Sequence, residues 1–111
     1  MYLIFNEALK YDTVNEIISM TSYDTVYTDK NGNAKTLSVK NTNQYLAGNV
    51  AAPDRVTVIG GKTGTTSAAG NCLILLARDT SGNPYIAVIL KSAERGILYT
   101  EMNALLKQVT S

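Results

Sequence analysis

The sequence predicts an α+β domain: an antiparallel sheet covered by helices near both chain ends, with a hairpin at the periphery. Three observations predict it. Apolar residues recur at helical spacing near both ends of the 111-residue chain. Turn-forming clusters at 29–33 and 79–84 each join two strand-like runs. Residues 71–78 (NCLILLAR) and 85–90 (YIAVIL) are apolar on both faces, as central strands are.

In chain order, residues 2–11 place Leu3, Ile4, Leu9 and, at its margin, Phe5 on a broad helical stripe. Thr13-Val14-Asn15-Glu16 reads as a capping box, the Thr13 hydroxyl accepting from the Glu16 N–H and the Glu16 carboxylate reaching back. A short helix to about Met20 follows, with Val14, Ile17 and Ile18 facing inward. Residues 23–28 and 35–39 alternate polar and apolar around Asn31-Gly32, which supplies the positive φ angles of a tight hairpin turn. One face of that hairpin is polar, which puts it at the periphery. Residues 41–52 read as a loop with one helical turn, ended by Pro53.

Residues 55–59 alternate as a strand and run into Gly60-Gly61-Lys62-Thr63-Gly64-Thr65-Thr66. Ser67–Gly70 turns the chain into strand 71–78, and Asp79–Pro84 turns it again into strand 85–90. The last helix opens at Ser92 or Ala93 and runs to about Val109, with Ile97, Leu98, Met102, Leu105, Leu106 and Val109 facing the core. The result is a three-strand meander plus a hairpin, without repeats or linkers.

Composition excludes several function classes. Hydrophobic residues make up 45% and charged residues 17%, a globular balance. A net charge of +1 leaves no electrostatic footprint for nucleic acid or an anionic membrane. The chain has no histidine, so it cannot by itself build a Ser-His-Asp or Cys-His site or a His-ligated metal. The single cysteine, Cys72, permits neither an internal disulfide nor a cysteine-cage zinc site. It reads as a small core residue on a buried strand. No apolar run approaches the ~20 residues of a membrane span, and residues 1–7 lack the pattern of an export signal.

The densest functional signal is the glycine- and threonine-rich string around Lys62. A phosphate loop would need glycine where Val56 stands, and it would place the lysine at a helix start instead of in a strand. A plainer reading has glycines bending an edge strand that Lys62 keeps soluble. The longer string favours a third reading. Lys62-Thr63-Gly64-Thr65-Thr66-Ser67-Ala68-Ala69-Gly70-Asn71-Cys72-Leu73 resembles the K-T-G-x-T-x-x-A-G-x-C-L motif of serine-type D-alanyl-D-alanine carboxypeptidases, the low-molecular-mass penicillin-binding proteins. Asn41-Thr42-Asn43-Gln44-Tyr45-Leu46 and residues 95–106 resemble the flanking segments of the same family.

The resemblance implies acyl transfer by a serine nucleophile supplied by an S-x-x-K motif, with S-x-N and K-T-G completing the site. No serine or threonine here lies three residues before a lysine, and Ser81-Gly82-Asn83 follows K-T-G and sits in a predicted turn. The chain is therefore expected to be one partial domain over 1–111, the C-terminal part of a β-lactamase/transpeptidase-like catalytic domain, inactive alone. By resemblance, Lys62, Thr63, Gly64 and Thr65 form the substrate-binding wall, with Lys62 and the Thr65 backbone N–H as catalytic groups. The implied partners are peptidoglycan stem peptides and β-lactams, at an extracytoplasmic location in the cell envelope. No cofactor or metal is implied. A β-lactamase fragment and a non-catalytic binding module are the alternatives; the A-G-x-C-L continuation favours the carboxypeptidase.

The remaining polar groups carry less. Asp54, Asp79 and Glu94 read as turn or cap residues, and Arg95 as a surface partner for Glu101. Tyr23, Tyr27, Tyr45, Tyr85 and Tyr99 read as packing residues with hydroxyls in water. The family's sheet has five strands, the first two supplied from upstream. Strand 85–90 is thus expected to be an open apolar edge that self-associates.

Overall fold

Three antiparallel strands carry the core of the computed structural model, which describes residues 1–110. Helices α1 (Tyr2–Ala8) and α2 (Asp12–Ser19) lead into a separate hairpin, β1 (Ser22–Thr28) and β2 (Ala34–Lys40). Strands β3 (Thr57–Thr66), β4 (Gly70–Arg78) and β5 (Pro84–Ser92) form the meander, and α3 (Arg95–Leu106) closes the fold before a 3-10 turn at Lys107–Thr110. The α+β class, the peripheral hairpin and the three-strand meander are as the sequence predicts.

Strand β4 is central because it is apolar on both faces. Leu73, Leu75 and Ala77 face α3, where they join Leu98, Tyr99, Met102 and Leu106. Ile74 and Leu76 face the other way and pack with Phe5 of α1, with Leu9, Ile18, Ile86 and Val88 around them. The two-fold period of a strand thus feeds two cores with one sequence run.

Both hairpins use the same turn chemistry. Asp29 Oδ1 accepts from the N–H groups of Asn31 and Asn33, and Asp79 Oδ1 does so from Ser81 and Asn83. Only the glycine of each turn takes a positive φ, Gly32 at 80° and Gly82 at 84°. The expectation that Asn31 shares the left-handed conformation is therefore corrected: a type I turn closed by one left-handed glycine needs only that residue.

The helices depart further from expectation. Helix α1 buries Phe5 and leaves Leu3 78% and Ile4 68% exposed, so the inward stripe is narrower than the periodicity suggested. The capping box at Thr13 does not form. Tyr11 is the N-cap of α2, Thr13 lies inside the helix, and no side-chain cap bond is made. Asn15 instead donates to the Leu9 and Tyr11 carbonyls, holding the α1–α2 corner. Ile17 points to solvent, while Val14 and Ile18 are half-buried. Helix α3 starts at Arg95, after Ser92 has ended β5, and Ile97 and Leu105 stay exposed. Tyr99 takes the core position instead, because its hydroxyl has a partner there.

Candidate functional site

Strand β3 is an edge strand, and its Lys-Thr-Gly segment lies on the free side of the sheet. Register with β4 decides where each side chain points. Lys62 stands opposite Ile74 and Gly64 opposite Cys72, so both face α2. Thr63 stands opposite Leu73 and Thr65 opposite Asn71, so both face α3. The Lys62 side chain thus leaves the strand on the α2 side and the two hydroxyls on the α3 side, and Lys62 borders the grooves on both.

A β-bulge between Val58 and Gly60 precedes the segment. A Cβ on Gly60 would fall 2.5 Å from the carbonyl oxygen of Ile18. The glycine is what lets the end of α2 lie directly on β3, two residues before Lys62. A groove opens there, lined by Ile17, Ile18, Met20, Tyr23, Val39 and Lys62 among others. On the other side, a groove of about 860 Å³ is lined by Lys62, Thr63, Gly64, Thr65, Arg95 and Thr100 among others. That size lies within the range of small-ligand clefts.

Lys62 is exposed, and its Nζ donates to the Thr63 carbonyl oxygen. No carboxylate pairs with it; Lys10–Glu7 is the only ion pair among the described residues. Thr63 shares a hydrogen bond with the Thr42 hydroxyl, and Thr65 Oγ1 donates to Asn71 Oδ1 at 3.2 Å. Two hydroxyls that share one bond keep one proton free for a ligand. Nothing lies within 4 Å of where a Gly64 Cβ would stand, so the strand backbone is open to an incoming molecule at that point.

The N-x-N segment explains how Thr42 reaches Thr63. Asn41 Nδ2 donates to the Met20 carbonyl at 2.7 Å, and its Oδ1 accepts from the Asn43 N–H. Asn43 is fully buried and its Oδ1 caps the Tyr45 N–H. The Gln44 N–H donates to the Tyr99 hydroxyl at 3.1 Å, and the Tyr45 hydroxyl donates to Asn103 Oδ1 at 2.7 Å. The segment is thus pinned to α2 at one end and α3 at the other. Residues 44–48 form turns without a helical segment. Burial, then the neighbouring Tyr99, pushes the Tyr45 hydroxyl up to about 12.

The structure brings Lys62, Thr63, Gly64 and Thr65 together on one open strand, with Thr42 beside them. The sequence reading missed Thr42 and Arg95 as groove residues. The asparagine-flanked motif was the available signal for Thr42. Arg95 faces the groove instead of pairing with Glu101, which accepts from Ser92 Oγ at 2.6 Å. Cys72 is only half-buried, because the residue opposite it is Gly64 and has no side chain to cover it. Asp79 is a turn residue as expected, and Glu94 is an N-cap without a side-chain bond. Three tyrosine hydroxyls bind protein groups where water was expected: Tyr45, Tyr85 and Tyr99.

An α+β partial domain with Lys-Thr-Gly on an open edge strand belongs to the serine DD-peptidase and penicillin-binding class. Residues 1–94 match the family model described as D-alanyl-D-alanine carboxypeptidase, and the chain belongs to that family. Among solved structures it is similar to an R248L mutant of the Streptomyces K15 DD-transpeptidase, at 25% identity and a TM-score of 0.74. The match covers 89% of this chain and 36% of that one, so the chain spans about a third of the transpeptidase's length. A search of curated proteins found no match.

Proposed function

We propose that residues 1–111 form the C-terminal part of the catalytic domain of a serine D-alanyl-D-alanine carboxypeptidase. The observation that carries this reading is the outward-facing Lys62-Thr63-Gly64-Thr65 edge, bordered by grooves on both sides. The parent enzyme removes the terminal D-alanine from peptidoglycan stem peptides at the cell envelope. Among the described residues no helix is long and apolar enough to cross a membrane.

In this mechanism a serine from outside residues 1–111 attacks the carbonyl carbon of the penultimate D-alanine. The peptide C–N bond breaks, D-alanine leaves carrying a proton, and an acyl ester remains on the serine. Water then attacks the ester and frees the shortened peptide. Lys62 lowers the cost of negative charge near the nucleophile and attracts the substrate carboxylate. Thr63 and Thr65 hydroxyls donate to that carboxylate. Gly64 lets the peptide approach and pair with the strand edge. The Thr65 N–H is one oxyanion donor, and the loss of such a donor costs about 10²–10³ in rate. β-Lactams enter as acylating mimics of the same peptide end.

The chain by itself has no S-x-x-K and no S-x-N upstream of K-T-G, so it is inactive alone. Release of D-alanine from a peptide ending in D-Ala-D-Ala tests the reading. The chain joined to an upstream segment carrying those two motifs is expected to release it, and the chain alone is not. Release by the isolated chain, or none by the joined one, contradicts the proposal.

A further inference from the structure

We propose that Asn71 is a positioning residue for Thr65: it turns the Thr65 hydroxyl proton away from the groove, so that a carboxylate gains this proton only by displacing Asn71. The ligand side of this inference rests on the proposed function; the direction of the hydroxyl does not. Asn71 stands opposite Thr65, one strand in from the edge. Thr65 Oγ1 donates to Asn71 Oδ1 at 3.2 Å, and Asn71 Nδ2 donates to the Ser92 carbonyl oxygen at 3.2 Å. The second bond decides the first. A carbonyl oxygen only accepts, so the amide must aim Nδ2 at Ser92 and Oδ1 at Thr65. Oδ1 also only accepts, so the proton between the two side chains is the one on Thr65.

Thr63 is placed differently. Its partner is the Thr42 hydroxyl, and either oxygen of that pair can be the donor. Thr63 can therefore turn its proton to a ligand and keep its bond, whereas Thr65 must give its bond up. Both hydroxyls line the groove that Lys62 and Arg95 also border. The two threonines look alike in sequence, and Asn71 makes them unequal.

The fold builds this commitment. Leu73 pairs with Ile89 and Asn71 with Ser92, so β5 carries one extra residue at that point. Without it, Lys91 would stand opposite Asn71. Lys91 takes up the extra residue at φ 60°, and a Cβ on Gly70 would fall 2.9 Å from the Lys91 Cα. Bulges beside sites re-aim groups in this way. Ser92 is fixed from its other side: it is 5% exposed, and its Oγ donates to Glu101 Oε1 on α3. The amide of Asn71 thus has a fixed acceptor behind it, and its oxygen is left for Thr65. A carboxylate is the stronger acceptor because it is charged. It wins the Thr65 proton at the cost of the bond to Asn71, worth about three- to tenfold in binding.

Nuclear magnetic resonance on the 111-residue chain tests this, with Asn71→Leu and Thr65→Val as variants. Without ligand, three-bond couplings are expected to show one Thr65 χ1 rotamer in the unaltered chain and averaging in Asn71→Leu. Titration with acetyl-D-alanyl-D-alanine is expected to show binding about three- to tenfold tighter in Asn71→Leu. In the Thr65→Val chain the same substitution is expected to gain nothing, since no hydroxyl is left to release. Asn71→Ala gives the same comparison where leucine disturbs the bulge. An averaged Thr65 rotamer in the unaltered chain overturns the proposal. So does unchanged or weaker binding in Asn71→Leu, or equal tightening with and without the Thr65 hydroxyl. Dipeptide binding to none of these chains contradicts the proposed function, and the rotamer comparison then decides the role of Asn71 alone.

Discussion

Gly60 lies against the main chain of Ile18, with room for no atom beyond its own α-carbon. The contact is backbone to backbone, so neither side can yield by a rotamer change. It sets α2 on β3 and fixes the wall of the groove beside Lys62. Gly60→Ala is expected to push α2 off the strand and destabilise the fold by about 1–3 kcal/mol. Gly64→Ala, where the space is open, is expected to change stability by less than about 0.5 kcal/mol. Urea unfolding of the two variants separates the roles. Equal losses would mean that the close approach at Gly60 does not hold α2.

Tyr99 is a core residue because its hydroxyl accepts the Gln44 N–H within the α3 cluster. Tyr99→Phe keeps the ring and strands that donor. The expected loss is about 1–2 kcal/mol by chemical denaturation. Tyr85→Phe is the control, since its bond to Asp79 is exposed, and it is expected to stay within about 0.5 kcal/mol of the parent chain.

Tyr45 gives an alkaline signature. Its hydroxyl is raised to about 12, first by burial and then by Tyr99. A folded-state value above the unfolded one means the contribution to stability is whole below pH ~10 and is lost as pH rises from there through about 12. Ultraviolet phenolate absorbance is expected to show a late ionisation step toward about pH 12 from Tyr45, absent in Tyr45→Phe. Complete ionisation near pH ~10 in the folded chain would contradict the burial described here.

Asp79 gives the acidic counterpart. Hydrogen bonds from Asn83, foremost its side chain, hold the Asp79 carboxyl below its ordinary range, with Ser81 and Tyr85 adding to them. The stabilisation is therefore present above the unfolded value and is lost as pH falls through the lower folded one. Melting temperature against pH is expected to fall on that acidic limb. Asp79→Asn, which keeps an acceptor but cannot titrate, is expected to flatten it. An unchanged limb in the variant would assign the acid sensitivity elsewhere.

The strands were legible in the sequence because burial on two faces leaves continuous apolar runs, as in 71–78 and 85–90. The Lys62–Thr65 segment was legible as a string, and its exposure follows from its place on an edge. The helix faces were less legible. Leu3 and Ile4 satisfy a helical period, but only Phe5 reaches the core, since α1 spans seven residues and touches the sheet with one turn. Thr13 and Glu16 spell a capping box, but the corner after α1 starts the helix two residues earlier, with Tyr11 as its N-cap. Arg95 entered the groove through tertiary packing, which no local pattern encodes, whereas the asparagines flanking Thr42 were a local signal for it.

Labelling by a fluorescent penicillin tests the central claim most directly. The chain joined to an upstream segment bearing S-x-x-K and S-x-N is expected to carry a covalent label on that segment's serine. Lys62→Ala is expected to slow labelling by about 10²-fold or more, and residues 1–111 alone are expected to stay unlabelled. A label on the isolated chain, or full-speed labelling without the Lys62 ammonium, would contradict the account.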